Sequence, residues 1–138
     1  MPDVFVLDAC ALIAFLNGEA GAERVSDLFE RAIDGEVEIK ILAINLCEVF
    51  YDGLRVGGEK AARMILETVG GLPIIVEREI DNFLIKYAGK FKVEENLSLA
   101  DAFALALVKK VRGVLVSTDH HEFDSIVEKG VAQVFWVR

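Results

Sequence analysis

Short apolar runs alternate along this chain with longer stretches whose apolar residues recur every three to four positions. Val4-Phe5-Val6-Leu7 is the first run, and residues 3–7 are predicted as a buried strand. Residues 9–16 predict a helix stopped by Asn17-Gly18. Residues 20–34 predict an amphipathic helix, with Val25, Leu28, Phe29, Ala32 and Ile33 on one face and Gly35 behind it. A strand at 38–43 follows, then helices at 45–56 and 59–69, ended by Gly57-Gly58 and Gly70-Gly71. Pro73 opens a short strand, 73–76, and helices are predicted at 78–91 and 98–111. Strand 114–117, short helix 121–129 and strand 133–137 complete the pattern. Strands that are nearly continuous apolar runs, alternating with helices, imply a parallel sheet covered on both faces. The expected fold is α/β: a three-layer α/β/α sandwich around a central, mainly parallel sheet, one domain over residues 1–138.

Composition sharpens this picture. Hydrophobic residues make up 54% of the chain, and the mean hydropathy is +0.41. The longest apolar run, Ala9 to Leu16, has eight residues, far short of the roughly eighteen of a membrane span. Asp3 and Asp8 lie near the N-terminus with no early Lys or Arg, so no signal peptide and a cytoplasmic location are expected. So much apolar surface on a small chain predicts a homodimer or a tightly held partner. A net charge of −8 argues against broad electrostatic binding of nucleic acid. It does not exclude a nuclease, because acids that hold cations count fully in that sum. The two cysteines, Cys10 and Cys47, form no CxxC and read as small buried hydrophobes.

Four acids carry the candidate chemistry. Asp8 ends the first strand, Glu48 follows the second, Asp101 interrupts a helix that is otherwise almost wholly apolar, and Asp119 ends the run Val114-Leu115-Val116. Each alone has an innocent reading. Asp8 and Asp119 fall where helix N-caps belong, Asn45-Leu46-Cys47-Glu48 has roughly capping-box spacing, and Ser98-Leu99-Ala100-Asp101 matches that pattern. Four such acids at strand ends and helix starts are more than caps require. In an open α/β sheet those positions share one edge. A buried carboxylate in the helix of Ala102-Phe103-Ala104-Leu105-Ala106-Leu107-Val108 needs a cation or several donors. Carboxylate oxygens are hard ligands, suited to Mg²⁺ or Mn²⁺.

These segments resemble, in order and over nearly the whole chain, the motifs of PIN-domain ribonucleases, in particular the small VapC-type toxins of prokaryotic toxin–antitoxin pairs. Val6-Leu7-Asp8-Ala9-Cys10-Ala11-Leu12-Ile13 resembles the opening strand and helix, and Asn45-Leu46-Cys47-Glu48-Val49 the second motif. Leu97-Ser98-Leu99-Ala100-Asp101-Ala102 resembles the third, and Val116-Ser117-Thr118-Asp119 with Phe123 the fourth. The resemblance implies Mg²⁺- or Mn²⁺-dependent cleavage of RNA leaving a 5′-phosphate and a 3′-hydroxyl, with Asp8, Glu48, Asp101 and Asp119 as metal ligands. It also implies an antitoxin protein as a partner. Asp124 and Ser117 are expected to support the site, Asp124 through water. Cys10 stands where the family commonly has Ser or Thr, and Ser117 where it has Thr.

Other residues attract blander readings. His120-His121 read as polar positions on a short exposed helix, and only His121 invites a metal or proton-shuttle role. Lys109, Lys110 and Arg112 end a helix, as the macrodipole favours. Arg55, Lys60 and Arg63 suit either a phosphate backbone or a solvated face. Phe15, Phe50 and Tyr51 read as core before they read as an antitoxin groove or dimer contact. A haloacid-dehalogenase-type phosphatase would need a second Asp where Cys10 stands. A receiver domain would need an Asp after the third strand, where Glu77-Arg78 stand. The rival readings are a non-catalytic interaction module of the PIN fold and a housekeeping RNA-processing nuclease.

Overall fold

A computed structural model describes residues 2–138. Five strands, β1 (Asp3–Leu7), β2 (Val37–Leu42), β3 (Ile75–Glu77), β4 (Val114–Ser117) and β5 (Val134–Trp136), form one sheet. Their order is β3-β2-β1-β4-β5, and every neighbouring pair is parallel. The helices are α1 (Ala9–Leu16), α2 (Ala22–Ile33), α3 (Ala43–Gly70), α4 (Asn82–Glu94), α5 (Leu99–Val111) and α6 (His120–Glu128).

Strand alternation divides the apolar residues between two cores. Phe5 and Leu7 of β1, Ile39 and Ile41 of β2, and Val116 of β4 pack with α1, α2 and α3. Val6, Leu42 and Leu115, one position out of phase, pack with α4, α5 and α6. The sheet is therefore the middle of three layers, and its central strands read as unbroken apolar runs because both faces are buried.

The two helices expected at 45–56 and 59–69 both form, run together as α3 across Gly58, the one residue inside it that leaves helical geometry, at φ 80° and ψ −176°. That backbone region is open essentially to glycine alone, so Gly57-Gly58 separates the two helical segments as expected. Two boundaries differ from the sequence reading, each for a local reason. Helix α4 starts four residues later than expected because Asp81 caps it, its Oδ1 accepting the Leu84 N–H at 2.9 Å. Helix α2 starts after Gly21, where φ is 89° and an added Cβ would meet the Val137 carbonyl oxygen at 2.1 Å.

The topology selects one pole of the sheet. Chain order reverses between the neighbours β1 and β4, and ligands of open α/β sheets bind at such a point, outside the carboxyl ends of the strands. Helices α1, α3 and α6 leave β1, β2 and β4 directly and so begin at that pole. Helix α5 leads into the start of β4, so its own N-terminus also lies there.

Candidate metal centre

The chain's four singled-out acids all sit at this pole, on four different elements. Asp8 is buried at the N-cap of α1. Its Oδ1 accepts the Ala11 N–H at 2.8 Å, and its Oδ2 accepts a short hydrogen bond from the Ser117 hydroxyl. The Ser117 Oγ in turn accepts the Asp119 N–H at 2.9 Å, and the Asp8 N–H donates to the Val116 carbonyl at 3.1 Å. The ends of β1 and β4 are thus tied by a chain of hydrogen bonds through a fully buried serine. Asp119 caps α6 by accepting the Glu122 N–H at 3.1 Å. Asp101 stands in the first turn of α5, whose cap is Ser98, with Ser98 Oγ accepting the Asp101 N–H at 3.2 Å.

Glu48 departs from its expected setting. Helix α3 begins at Ala43, directly from β2, and its N-cap position is Leu42. Asn45 is therefore no cap but a buried residue of the first turn, one helical turn before Glu48 on the same face. Asn45 Nδ2 donates to Glu48 Oε1 and to the Ala100 carbonyl, both at 3.2 Å.

The electrostatics join these groups. Burial pushes the Asp8 carboxyl up to about 7, against the bonds from Ser117 and Ala11, with the charges of Asp101 and Asp119 adding to the rise. Burial likewise pushes Asp101 up to about 7, against Ser98 and with the charges of Glu122, Glu48 and Asp119 raising it further. Burial raises Glu48, while bonds from Asn45 and Tyr51 oppose it. Asp8, Glu48 and Asp101 are costly as free anions, and neighbouring charges add to the cost at Asp8 and Asp101. A divalent cation answers both penalties, and the donor set, all oxygen, is of the right hardness. Among the described residues no three His, Cys, Asp or Glu side chains already converge on an ion position. Their oxygens are turned to donors within the protein: both of Asp8, Oδ1 of Asp119 and Oε1 of Glu48.

Two residues were missed by sequence reasoning. Glu122 is half-buried beside Asp119, and its charge is the largest electrostatic push on Asp101. The spacing Asp119-His120-His121-Glu122 is itself a capping pattern and was the available signal. Asn45 reads in the sequence only as the cap of a capping-box pattern with Glu48, and that spacing was the available signal.

The supporting residues are placed unevenly. Ser117 lies inside the hydrogen-bond chain just described. Asp124 is exposed and bound to His120, Oδ1 to Nδ1 at 2.8 Å. His120, not His121, is the structured member of the pair. Its Nε2 meets the Arg138 carbonyl at 2.9 Å and its ring stacks on Trp136 at 3.7 Å. The Arg138 carbonyl first, then Asp124, raises its pKa. The cysteines are not the buried pair expected: Cys10 is half-buried and Cys47 exposed. Leu46 and Val49 take the buried side of α3, which turns Cys47 outward. Burial, then the charges of Asp8, Asp119 and Asp101, push the Cys10 thiol up to about 12, so it stays a neutral thiol beside the acids. Arg55 is paired with Asp52 at 2.7 Å, whereas Lys60 and Arg63 are exposed. Phe15 packs edge-on against Phe29 at 4.8 Å, Phe50 is half-buried, and Tyr51 is exposed.

Solved structures share this architecture. A chain of the VapBC2 complex from Rickettsia felis, bound to a promoter DNA fragment, matches with TM-score 0.74 at 14% identity, over 96% of this chain and 98% of that one. A toxin–antitoxin complex from Klebsiella pneumoniae matches at 0.67 and 22% identity, over 96% and 97%. VapC20 from Mycobacterium tuberculosis, a toxin that cleaves the sarcin–ricin loop, matches at 0.68 and 18% identity, over 88% and 94%. At these identities the likeness is one of fold. No curated protein sequence is significantly similar to the chain. The family model of the PIN domain matches residues 5–129, a span that holds all four acids and the carboxyl ends of both switch-point strands, and the chain belongs to the PIN domain family.

Proposed function

We propose that this chain is a divalent-metal-dependent endoribonuclease that hydrolyses RNA phosphodiester bonds, serving as the toxin of a toxin–antitoxin pair. The observation that carries the reading is one of placement: Asp8, Glu48, Asp101 and Asp119 stand on four elements at the carboxyl pole of a PIN-family sheet, and burial raises the carboxyls of Asp8, Glu48 and Asp101. Asp8, Glu48, Asp101 and Asp119 would hold Mg²⁺ or Mn²⁺. When bound, the ion supplies charge for the phosphate, a more acidic water and stabilisation of the leaving oxygen.

The protein's own groups set the stage. Asp8 is immobilised from both sides by Ala11 and Ser117. Asp101 is less enclosed than Asp8, so one of its carboxylate oxygens would be open to take a proton from the attacking water. The N-termini of α1, α5 and α6 lie at the same pole, where the helix dipoles favour an anionic phosphate.

Relatives of this fold are found in complexes with antitoxins, and the chain has a surface that suits such a partner. A groove of about 320 Å³ lies between α1 and α3, lined by Ile13, Leu16, Val56, Ala61, Met64 and Ile65. We assign the antitoxin contact to it. The direct test is incubation of purified protein with RNA. Cleavage with Mn²⁺, none with EDTA, and none by Asp101→Asn is the expected result. Cleavage that survives EDTA would overturn the metal assignment.

A further inference from the structure

Asn45 is fully buried, and its Oδ1 has no hydrogen-bond partner among the described residues. The orientation of the amide follows from its surroundings: Glu48 Oε1 and the Ala100 carbonyl are both acceptors, so the nitrogen must face them. That leaves the oxygen desolvated with nothing in return. A leucine of similar size would fill the same space without this cost. As a device for stability the amide is therefore a poor choice, and its use must lie in what the nitrogen does. The nitrogen touches the acid of α3 and the peptide directly before Asp101 on α5. One side chain thereby joins the second and third acidic segments, which are 53 residues apart as Glu48 and Asp101.

We propose that Asn45 is a positioning residue of the metal centre: it fixes the Glu48 carboxylate and sets the start of α3 against the start of α5, so that Glu48 and Asp101 face one ion together. The inference rests on the metal-dependent reading above. Glu48 sits on a half-exposed helix face and has no backbone cap bond, unlike Asp8 and Asp119, so without Asn45 its carboxylate is held only by the exposed Tyr51. Groups that orient a metal ligand in this way are typically worth about 10–100-fold in metal affinity.

The test is Mn²⁺ binding by titration calorimetry on the full chain, for wild type, Asn45→Leu, Glu48→Gln and the double variant, with melting in EDTA measured in parallel. Asn45→Leu should melt at or above the wild-type temperature yet bind Mn²⁺ about 10-fold or more weakly. The double variant should bind less weakly than the product of the two single losses, because much of the effect of Asn45 passes through Glu48. Wild-type affinity in Asn45→Leu, or losses that simply multiply in the double variant, would overturn the inference. If Asn45→Leu does not fold, Asn45→Ala replaces it in the same cycle. Unfolding of both would make Asn45 a structural residue and end the proposal. A wild-type protein that binds no Mn²⁺ overturns the metal centre itself, and this inference with it.

Discussion

Asp8 and Asp101 are the residues whose chemistry most depends on the fold. Their carboxyls rise from 3.8 in an unfolded chain to about 7 in the folded one. For a raised carboxyl the folded state binds the proton more tightly, so its contribution to stability is full below about pH 4 and is lost as pH climbs through 7. The metal-free protein should therefore be less stable at pH 8 than at pH 5, by an amount on the order of a few kcal/mol for the fully buried Asp8, and should melt at a lower temperature. Calorimetry in EDTA reads this directly, and a melting temperature flat across that window contradicts it. Asp101→Asn should flatten the profile and leave the metal-free fold as stable or slightly more so, while abolishing cleavage. A much lower melting temperature would mean that Asp101 serves the helix and not an ion. Ser117 makes the opposite case. It donates to Asp8 and accepts from Asp119 in a fully buried position. Ser117→Ala leaves two buried groups short of a partner and should cost about 1–3 kcal/mol in urea unfolding. A loss within error of zero would show that water replaces the hydroxyl.

At the scale of elements, the kink in α3 is the feature with a clear mechanical reading. Gly58 has no neighbour within 4 Å of an added Cβ, so substitution there meets no clash and tests conformation alone. Its φ of 80° with ψ of −176° is a region that alanine adopts only under strain. Gly58→Ala should lose about 1–3 kcal/mol, either by straining the bend or by straightening α3 and pulling residues 59–70 off the body. Hydrogen exchange separates these outcomes: protection lost only across 59–70 marks local release. Unchanged stability with unchanged exchange would mean the kink is soft. The N-terminal part of α3, which carries Glu48 and Asn45, precedes the bend and should keep its protection in either case.

For the molecule as a whole, charge and apolar surface point to partners. Tyr51, Leu54, Val56, Met64 and Leu66 of α3 are exposed, on the helix that also lines the groove. A twofold dimer of the free chain is expected at micromolar concentration by analytical ultracentrifugation. Met64→Glu should weaken the antitoxin complex proposed above, and a variant that binds the antitoxin unchanged would remove that contact from this groove. The body carries −8, so RNA binding without metal should be weak and steeply salt-sensitive. Affinity measured with wild type in Ca²⁺ and in EDTA decides this. Equal values would mean that cations of the surface, not ions at the acids, hold the RNA; Arg55 is already spent on Asp52, while Lys60 and Arg63 remain exposed.

Much of this was legible in the chain. Alternating apolar runs gave the layers, because a strand buried on both faces must be apolar throughout and each helix must hide one stripe. Strand ends and helix starts placed the acids at one pole, because every helix that leaves a parallel strand begins where that strand ends. The sequence by itself thus determined the α/β architecture and the identity of four acids. Tertiary structure alone decided what those acids experience. The protonation of Asp8 and Asp101 depends on burial and on charges up to 111 residues away, as between Asp8 and Asp119. The bond from Ser117 to Asp8 spans 109 residues, and that from Asn45 to Ala100 spans 55. Local pattern made Asn45 a cap, since a short polar side chain near a helix start usually is one. The direct passage of β2 into α3 moved the helix start two residues upstream of Asn45, and packing against α5 gave the amide its partners. Periodicity reports which face a residue takes; it carries no record of what lies across that face, because that depends on segments the local sequence does not contain.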